Sequence, residues 1–580
     1  MGTRVFFVRT LALVLALASV NTSSLCAQSR ADSTGMVVSK RGLVISSSSI
    51  ASDVGARILR RGGNAVDAAV ATAFALAVTY PGAGNIGGGG FMVIRLKNGA
   101  ATTIDYRERA PFKSTPIMYL DTAGKIDRRL TATGYLAPGV PGTVRGLALA
   151  QRKYGRLRWR DVVMPAADLA AKGFALDSAL ARGLSREVAQ AMAPYPASVA
   201  AYRKPAGGDW QPGDTIVLAD LGRTLAAIAR GGPDVFYRGW IADSLAADMQ
   251  RNGGLITKRD LSEYRARERP PIRGTFKGYD VIAMPPPSSG GVAMVEILNV
   301  LSHFDLKKQG RWSPQTLHLM IEAMRRAYVD RARFLGDPDF VRMPIARLTS
   351  PRYGASLAAR IDRGKATSSI ELGRDIVTSA NVAAESEETT HFSVVDAEGN
   401  AVSNTFTLEG GYGSHVVVRG AGFLLNNEMG DFNKKPGETN TQGDIGTPAN
   451  VIAPGKRMLS SMTPTIVTRK EKLFMVTGSP GGRTIINTVM EVVLNATAFG
   501  MTARGAVDAP RLHHQWLPDV ATFERDAIPD STAARLRAMG HTVELRGRQG
   551  DAHTIIFDAR TRTAYGANDR RSSDSKAAAP

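Results

Sequence analysis

Cysteine is nearly absent. The 580-residue chain has one, Cys26, near its N-terminus. Long apolar runs are missing too. Leu11–Val20 (LALVLALASV) is too short to span a bilayer, and no later stretch is both long and apolar enough. With Arg4 and Arg9 before it and SLCAQ after it, that stretch reads as a secretory signal cut after Ala27. Residues 1–27 then leave, and the location is periplasmic or secreted. Cys26 leaves with them, which excludes disulfides, cysteine nucleophiles and thiolate metal sites from the mature chain. A lipidated Cys26 would need a small residue before it, and Leu25 stands there. Acids are in deficit: 52 Asp and Glu against 73 Lys and Arg give a formal charge of +21. The basic residues run throughout without a long cluster or interleaved aromatics. They read as the surface of a basic exported protein rather than a nucleic-acid footprint. The histidines are scattered, and the adjacent His513 and His514 point apart, so no metal site is expected.

What is present suits a large α/β protein. The chain is 44% hydrophobic, ample for an extensive core. In ASDVGARILRRGGNAVDAAVATAFALAVTYPGAG, Val54, Ile58 and Leu59 give a first helix that ends at Gly62–Gly63. Asn64 caps a second, from Ala65 to about Val78, apolar nearly all round and therefore buried. GNIGGGGFMVIRL turns into a strand at Phe91–Leu96, its glycines suited to close backbone packing. Residues 147–380 read as mostly helical, and MPPPSSGG (284–291) as a stiff loop before a buried helix. From Thr389 short strands alternate (His391–Val395, Ala401–Leu408, Met462–Val467, Lys472–Val476), then helices return at Thr484–Ala498 and Ser531–Ala538. This predicts a layered α/β sandwich with a helical insertion. The tail beyond Ala567 reads as polar and mobile.

EETTHFSVVDAEGN (387–400) is the most informative stretch. DAEGN joins two strands as a hairpin loop. If Val395 faces Ala401, Thr389 falls opposite Thr407, two hydroxyls within reach of each other. Threonines also simply suit strands. GYGSHVVVRGAGFLLNNEMGDF puts Glu428 and Asp431 in a loop, and RMLSSMTPTIV puts Ser460 and Ser461 at the mouth of a strand. In VTGSPGGRTIINTV, Gly481 and Gly482 open a helix, a ready anion or oxyanion site; the Lys-Ser/Thr of a nucleotide loop is missing.

Together with GGNAVDAAVA, GNIGGGGFM, DYRERAP, GVPGTVRG, MPPPSSGG and APRLHHQWLPD, these motifs resemble the γ-glutamyltransferases over about 35–543. The resemblance implies a four-layer αββα sandwich of the N-terminal nucleophile hydrolase type. It implies self-cleavage between Glu388 and Thr389, giving a large subunit (28–388) and a small subunit (389–580) from one precursor. It implies Thr389 as nucleophile, with Thr407 hydrogen-bonded to it. Arg107, Ser460 and Ser461 would hold the substrate α-carboxylate, and Glu428 and Asp431 its α-ammonium. Gly481 and Gly482 would form the oxyanion hole. Donors would be glutathione and other γ-glutamyl compounds, acceptors water, amino acids or dipeptides, and no cofactor is needed. Glu409 departs from the family's asparagine; it can still accept from the ammonium. Gln442 stands where related bacterial enzymes carry a lid tyrosine, within the loop 432–459, and predicts a looser lid. His391, on the same strand face as Thr389, is a rival base. The rival activities are a glutaryl acylase and an uncleaved binding protein.

Overall fold

The computed structural model describes residues 35–379 and 389–580. The signal reading, with Cys26, and Glu388 at the expected cut lie outside the described residues. Strands β1 (Val37–Ser39), β2 (Gly42–Ser46), β3 (Gly89–Arg95) and β4 (Ala101–Asp105) precede a helical stretch holding only the two-residue strands β5 (Phe174–Ala175) and β6 (Thr215–Ile216). Then come β7 (Arg267–Arg269), β8 (Ile272–Phe276) and β9 (Tyr279–Ala283). The segment after Thr389 supplies β10 (Thr390–Asp396), β11 (Ala401–Thr407), β12 (Thr465–Arg469) and β13 (Lys472–Thr477). It continues with β14 (Leu512–His513), β15 (Ala521–Glu524), β16 (Val543–Arg546), β17 (Thr554–Asp558), β18 (Thr563–Ala567) and β19 (Lys576–Ala578).

Two seven-stranded sheets form the centre, ordered β1-β18-β17-β13-β12-β9-β8 and β19-β2-β10-β11-β3-β4-β7. Their strand pairs are all antiparallel. The sheets face one another, and helices cover both outer faces, the αββα layering expected. Successive side chains on a strand point to opposite faces, and the core divides accordingly. Leu43, Ile45, Phe91 and Val93 join the core between the sheets and beneath the helices Gly290–Leu301 and Thr484–Thr497. Their alternates Val44, Met92 and Ile94 pack with Phe392 and Val394 against the helices Ser49–Arg60 and Ala65–Thr79.

The local expectations hold. Asn64 accepts from the N–H groups of Val66 and Asp67 in a capping box, and every residue of the Ala65–Thr79 helix is buried. Gly62 ends the preceding helix at φ +89°. In the glycine run, a Cβ on Gly88 would stand 2.2 Å from the Thr407 carbonyl oxygen, so the run is close backbone packing against β11. Three expectations need correction. The mostly helical stretch 147–380 also supplies β7, β8 and β9 to the central sheets. The strand expected from Met462 starts at Thr465, because Ser460–Thr463 are held instead by the 284–291 loop. The tail is not loose: β19 pairs with β2, with Ala577 opposite Ile45, and buries Ala577 and Ala578.

Candidate active site

The β10–β11 hairpin has the expected register. Val395 faces Ala401 and Thr390 faces Phe406, so Thr389, at the head of β10, comes level with Thr407. Asp396 holds the turn, its carboxylate accepting from the N–H groups of Glu398 and Asn400. Nine of the ten predicted site residues line one small cavity at this end of the sandwich; Gly481 lines the wider cleft beside it. That cleft, about 740 Å³, has room for a peptide-sized group and also has Gln442 and Arg483 in its wall.

Arg107 is completely buried among acids. Its guanidinium pairs with Asp431, and its Nη1 lies 2.7 Å from Glu428 Oε2 and 3.5 Å from Glu108 Oε2. The Glu428 approach is off the N–H direction, an ion pair rather than a hydrogen bond. Three carboxylates thus face one buried cation. Burial pushes Glu428 well above the usual carboxylate range; Arg107 opposes this, while Glu108, Asp431 and Glu409 add to it. Burial likewise pushes Glu108 up to about 8, against the pull of Arg107. Both carboxyls are thus held toward the protonated form. Glu428 and Asp431 sit in a short 3₁₀ turn, Glu428–Asp431.

Ser460 and Ser461 are set by the proline loop. Ser289 donates through Oγ to the Ser460 carbonyl at 2.6 Å, and the Ser460 N–H donates to the Pro287 carbonyl at 2.9 Å. Arg331 donates to Ser289 Oγ at 2.9 Å and to Ser461 Oγ at 3.0 Å. Neither Arg331 nor Glu108 was singled out from the sequence. Arg331 lies in the long Pro314–Phe334 helix with no motif around it. Glu108's only signal was its place beside Arg107 in DYRERAP.

Gly481 (φ +128°) and Gly482 (φ +55°) form a turn that side chains would strain. The N–H groups of Thr484 and Ile485 donate back to the carbonyls of Gly481 and Gly482, starting the Thr484–Thr497 helix. The Glu409 N–H donates to Thr407 Oγ1 at 2.8 Å, and Glu409 itself lies at φ +81°. That region favours glycine and asparagine over glutamate. His391 is not placed as a base. Its Nδ1 lies 2.8 Å from Thr405 Oγ1 and its Nε2 3.0 Å from Ser393 Oγ, and burial drives its pKa well below the usual range.

The 432–459 loop is tied down at several points. Arg128 pairs with Asp444 at 2.7 Å, and Arg483 donates to the Gly443 carbonyl at 3.0 Å. No cluster of metal-ligating side chains occurs among the described residues, and no helix there is long and apolar enough to cross a membrane.

Known proteins share this architecture. The sequence profile of the Gamma-glutamyltranspeptidase family matches residues 51–579. The chain is 48% identical over 538 residues to a glutathione hydrolase proenzyme of Escherichia coli (strain K12), covering 93% of this chain and 92% of that one. The crystal structure of a cephalosporin acylase from Bacillus halodurans superposes with a TM-score of 0.81 at 26% identity, covering 94% of this chain and 97% of the other. The gamma-glutamyltranspeptidase of Helicobacter pylori superposes with a TM-score of 0.56 at 42% identity, over 57% of this chain and 94% of that chain. The fold is that of the N-terminal nucleophile hydrolases, and the chain belongs to the gamma-glutamyltranspeptidase family.

Proposed function

We propose that this protein is an exported glutathione hydrolase and γ-glutamyltransferase that first cleaves itself before Thr389. In the precursor the Thr389 hydroxyl attacks the Glu388 carbonyl. The C–N bond breaks as the ester forms, and the proton moves to the departing nitrogen. Water then opens the ester, leaving a large subunit, 28–388, and a small one that begins at Thr389. The new α-amine, with an ordinary pKa of about 7.7–8.0, takes the proton of its own residue's hydroxyl. Thr389 then attacks a γ-glutamyl carbonyl, and the N–H groups of Gly481 and Gly482 receive the developing oxyanion. The departing amine takes the proton, and water, an amino acid or a dipeptide takes the γ-glutamyl group from the ester. Thr407 orients the nucleophile, and Glu409 adds an acceptor near the amine.

The observation that carries this reading is the pairing of Arg107 with Glu428 and Asp431. An α-amino acid head is a zwitterion. Inserted here, its carboxylate takes the guanidinium with Ser460 and Ser461, while its ammonium takes the acids, so no buried charge is left alone. A glutaryl group brings the carboxylate without the ammonium and would face three acids uncompensated. This favours γ-glutamyl over glutaryl donors, despite the structural likeness to a cephalosporin acylase.

The test is intact mass and N-terminal sequencing of the purified protein, with Thr389→Ala beside it. The parent should give two fragments, the smaller beginning TTHFSVVD, and should hydrolyse a γ-glutamyl anilide in preference to a glutaryl anilide. Thr389→Ala should stay one inactive chain. Turnover by Thr389→Ala removes it as nucleophile, and preference for the glutaryl compound makes the protein an acylase.

A further inference from the structure

The hydroxyl of Thr390 has no part in the mechanism above, although it directly follows the nucleophile. It lies 3.0 Å from Ser47 Oγ. Ser47 comes just after β2, which neighbours β10. Its single hydroxyl also lies 3.3 Å from Asp551 Oδ2 and 3.1 Å from His553 Nε2. From its backbone, Asp551 reaches in another direction. Its N–H donates to Ser479 Oγ at 2.9 Å, and Ser479 begins the turn that carries Gly481 and Gly482. Gly550, at φ +65°, allows this approach: a Cβ there would stand 2.6 Å from Ser479 Oγ and 3.0 Å from Thr488 Oγ1. Residue 551 thus connects to the nucleophile strand through its side chain and to the oxyanion turn through its backbone.

Ser47, Thr390 and His553 are buried, and the Asp551 side chain is 13% exposed. Burial, with Asp569 nearby, pushes the Asp551 carboxyl up to about 8, and burial draws His553 down to about 4. The hydrogens can be assigned consistently. The Ser47 hydroxyl donates to Asp551 Oδ2, and its oxygen is left to accept from the Thr390 hydroxyl and from His553 Nε2–H. Asp551 Oδ1 and His553 Nδ1 are buried without a hydrogen-bond partner among the described residues. A carboxyl oxygen buried without a partner is costly and calls for a reason.

We propose that Ser47 and Asp551 are positioning residues that hold the head of β10 against the Ser479–Gly482 turn. They set the distance between the Thr389 hydroxyl and the oxyanion N–H groups, in self-cleavage and in turnover alike. The proposal rests on Thr389 as the nucleophile. No bond is made or broken at either residue; they act through Thr390 and Ser479. Misplacement of reacting groups by an ångström is enough to slow a reaction about a hundredfold.

The experiment uses the full chain. Fragment appearance is followed by gel, and kcat and KM are measured on a γ-glutamyl anilide for Ser47→Ala, Asp551→Ala, Asp551→Asn and Thr390→Val. Ser47→Ala, Asp551→Ala and Thr390→Val should each slow cleavage and lower kcat by about ten- to a hundredfold, with KM within about twofold. Asp551→Asn, which keeps the shape and an oxygen to accept from Ser47, should recover most of the rate. Thr390→Val keeps the β-branch and removes only the hydroxyl, so it carries the test if Ser47→Ala does not fold. Parent rates in Ser47→Ala or Thr390→Val overturn the proposal. So does a loss confined to KM, or Asp551→Asn as slow as Asp551→Ala. Turnover by Thr389→Ala would instead overturn the nucleophile, a separate failure.

Discussion

At the scale of single residues, the site is a small excess of negative charge around one buried guanidinium. Glu108 is its least conspicuous member and the one with a measurable signature. Unfolded, Glu108 gives up its proton near the ordinary value of 4.5; folded, it keeps it to about 8. Between those values the folded state holds more protons than the unfolded, so stability falls as pH rises from 4.5 to about 8 and this group adds no further slope beyond. Glu108→Gln is neutral throughout. Its gain in Tm over the parent should widen between about pH 5 and about pH 8.5. Equal gains at both values mean that Glu108 is already ionised in the fold. Glu409 bears on the same cluster. At φ +81° it holds a conformation that asparagine tolerates better, so the departure from the family's residue costs backbone strain as well as adding charge.

At the scale of elements, what could be read from the sequence was what the chain specifies locally. The hairpin register followed from DAEGN and two alternating runs, and the cap at Asn64 followed from its place after two glycines. The site roles came from resemblance, and nine of the ten residues line one cavity because the hairpin, the 3₁₀ turn and the glycine turn all end at one edge of the sandwich. Long-range partners were not legible. Nothing in SDSKAAAP suggests a strand, since alanine and lysine have little preference for one. Its pairing partner β2 lies more than five hundred residues away in sequence. The ion pairs of Arg107 with Glu428 and Asp431 likewise join distant segments, and only the fold shows them. The tail is therefore a test at this scale. Truncation after Ser573 keeps the buried Asp569–Arg511 pair and removes β19, the Asp574 contacts to Ser49 and the Lys576–Asp53 pair. It should lower stability by about 1–2 kcal/mol, a few degrees in Tm. It should also bare an edge of the sheet prone to association and slow self-cleavage, because β2 lies beside β10. Unchanged melting and cleavage would return the tail to an inert appendage.

At the scale of the molecule, the proposed cut falls inside both sheets rather than between domains. β10 and β11, from the small subunit, lie between β2 and β3 of the large one, and β12 and β13 lie between β9 and β17. Parting the subunits means tearing both sheets and the core between them. Mature fragments should therefore elute together from a sizing column in native buffer and separate only in denaturant; separation in buffer would place the cut elsewhere. The interleaving also changes the kinetic order of folding. Before the cut, every strand finds its neighbour within one molecule, and folding is first order in chain. After it, a denatured pair must meet by diffusion, and recovery becomes second order, falling with dilution. On the proposed cut, the working form is one the chain can reach easily only from its own past as a single piece, and its persistence is a matter of rate rather than of equilibrium.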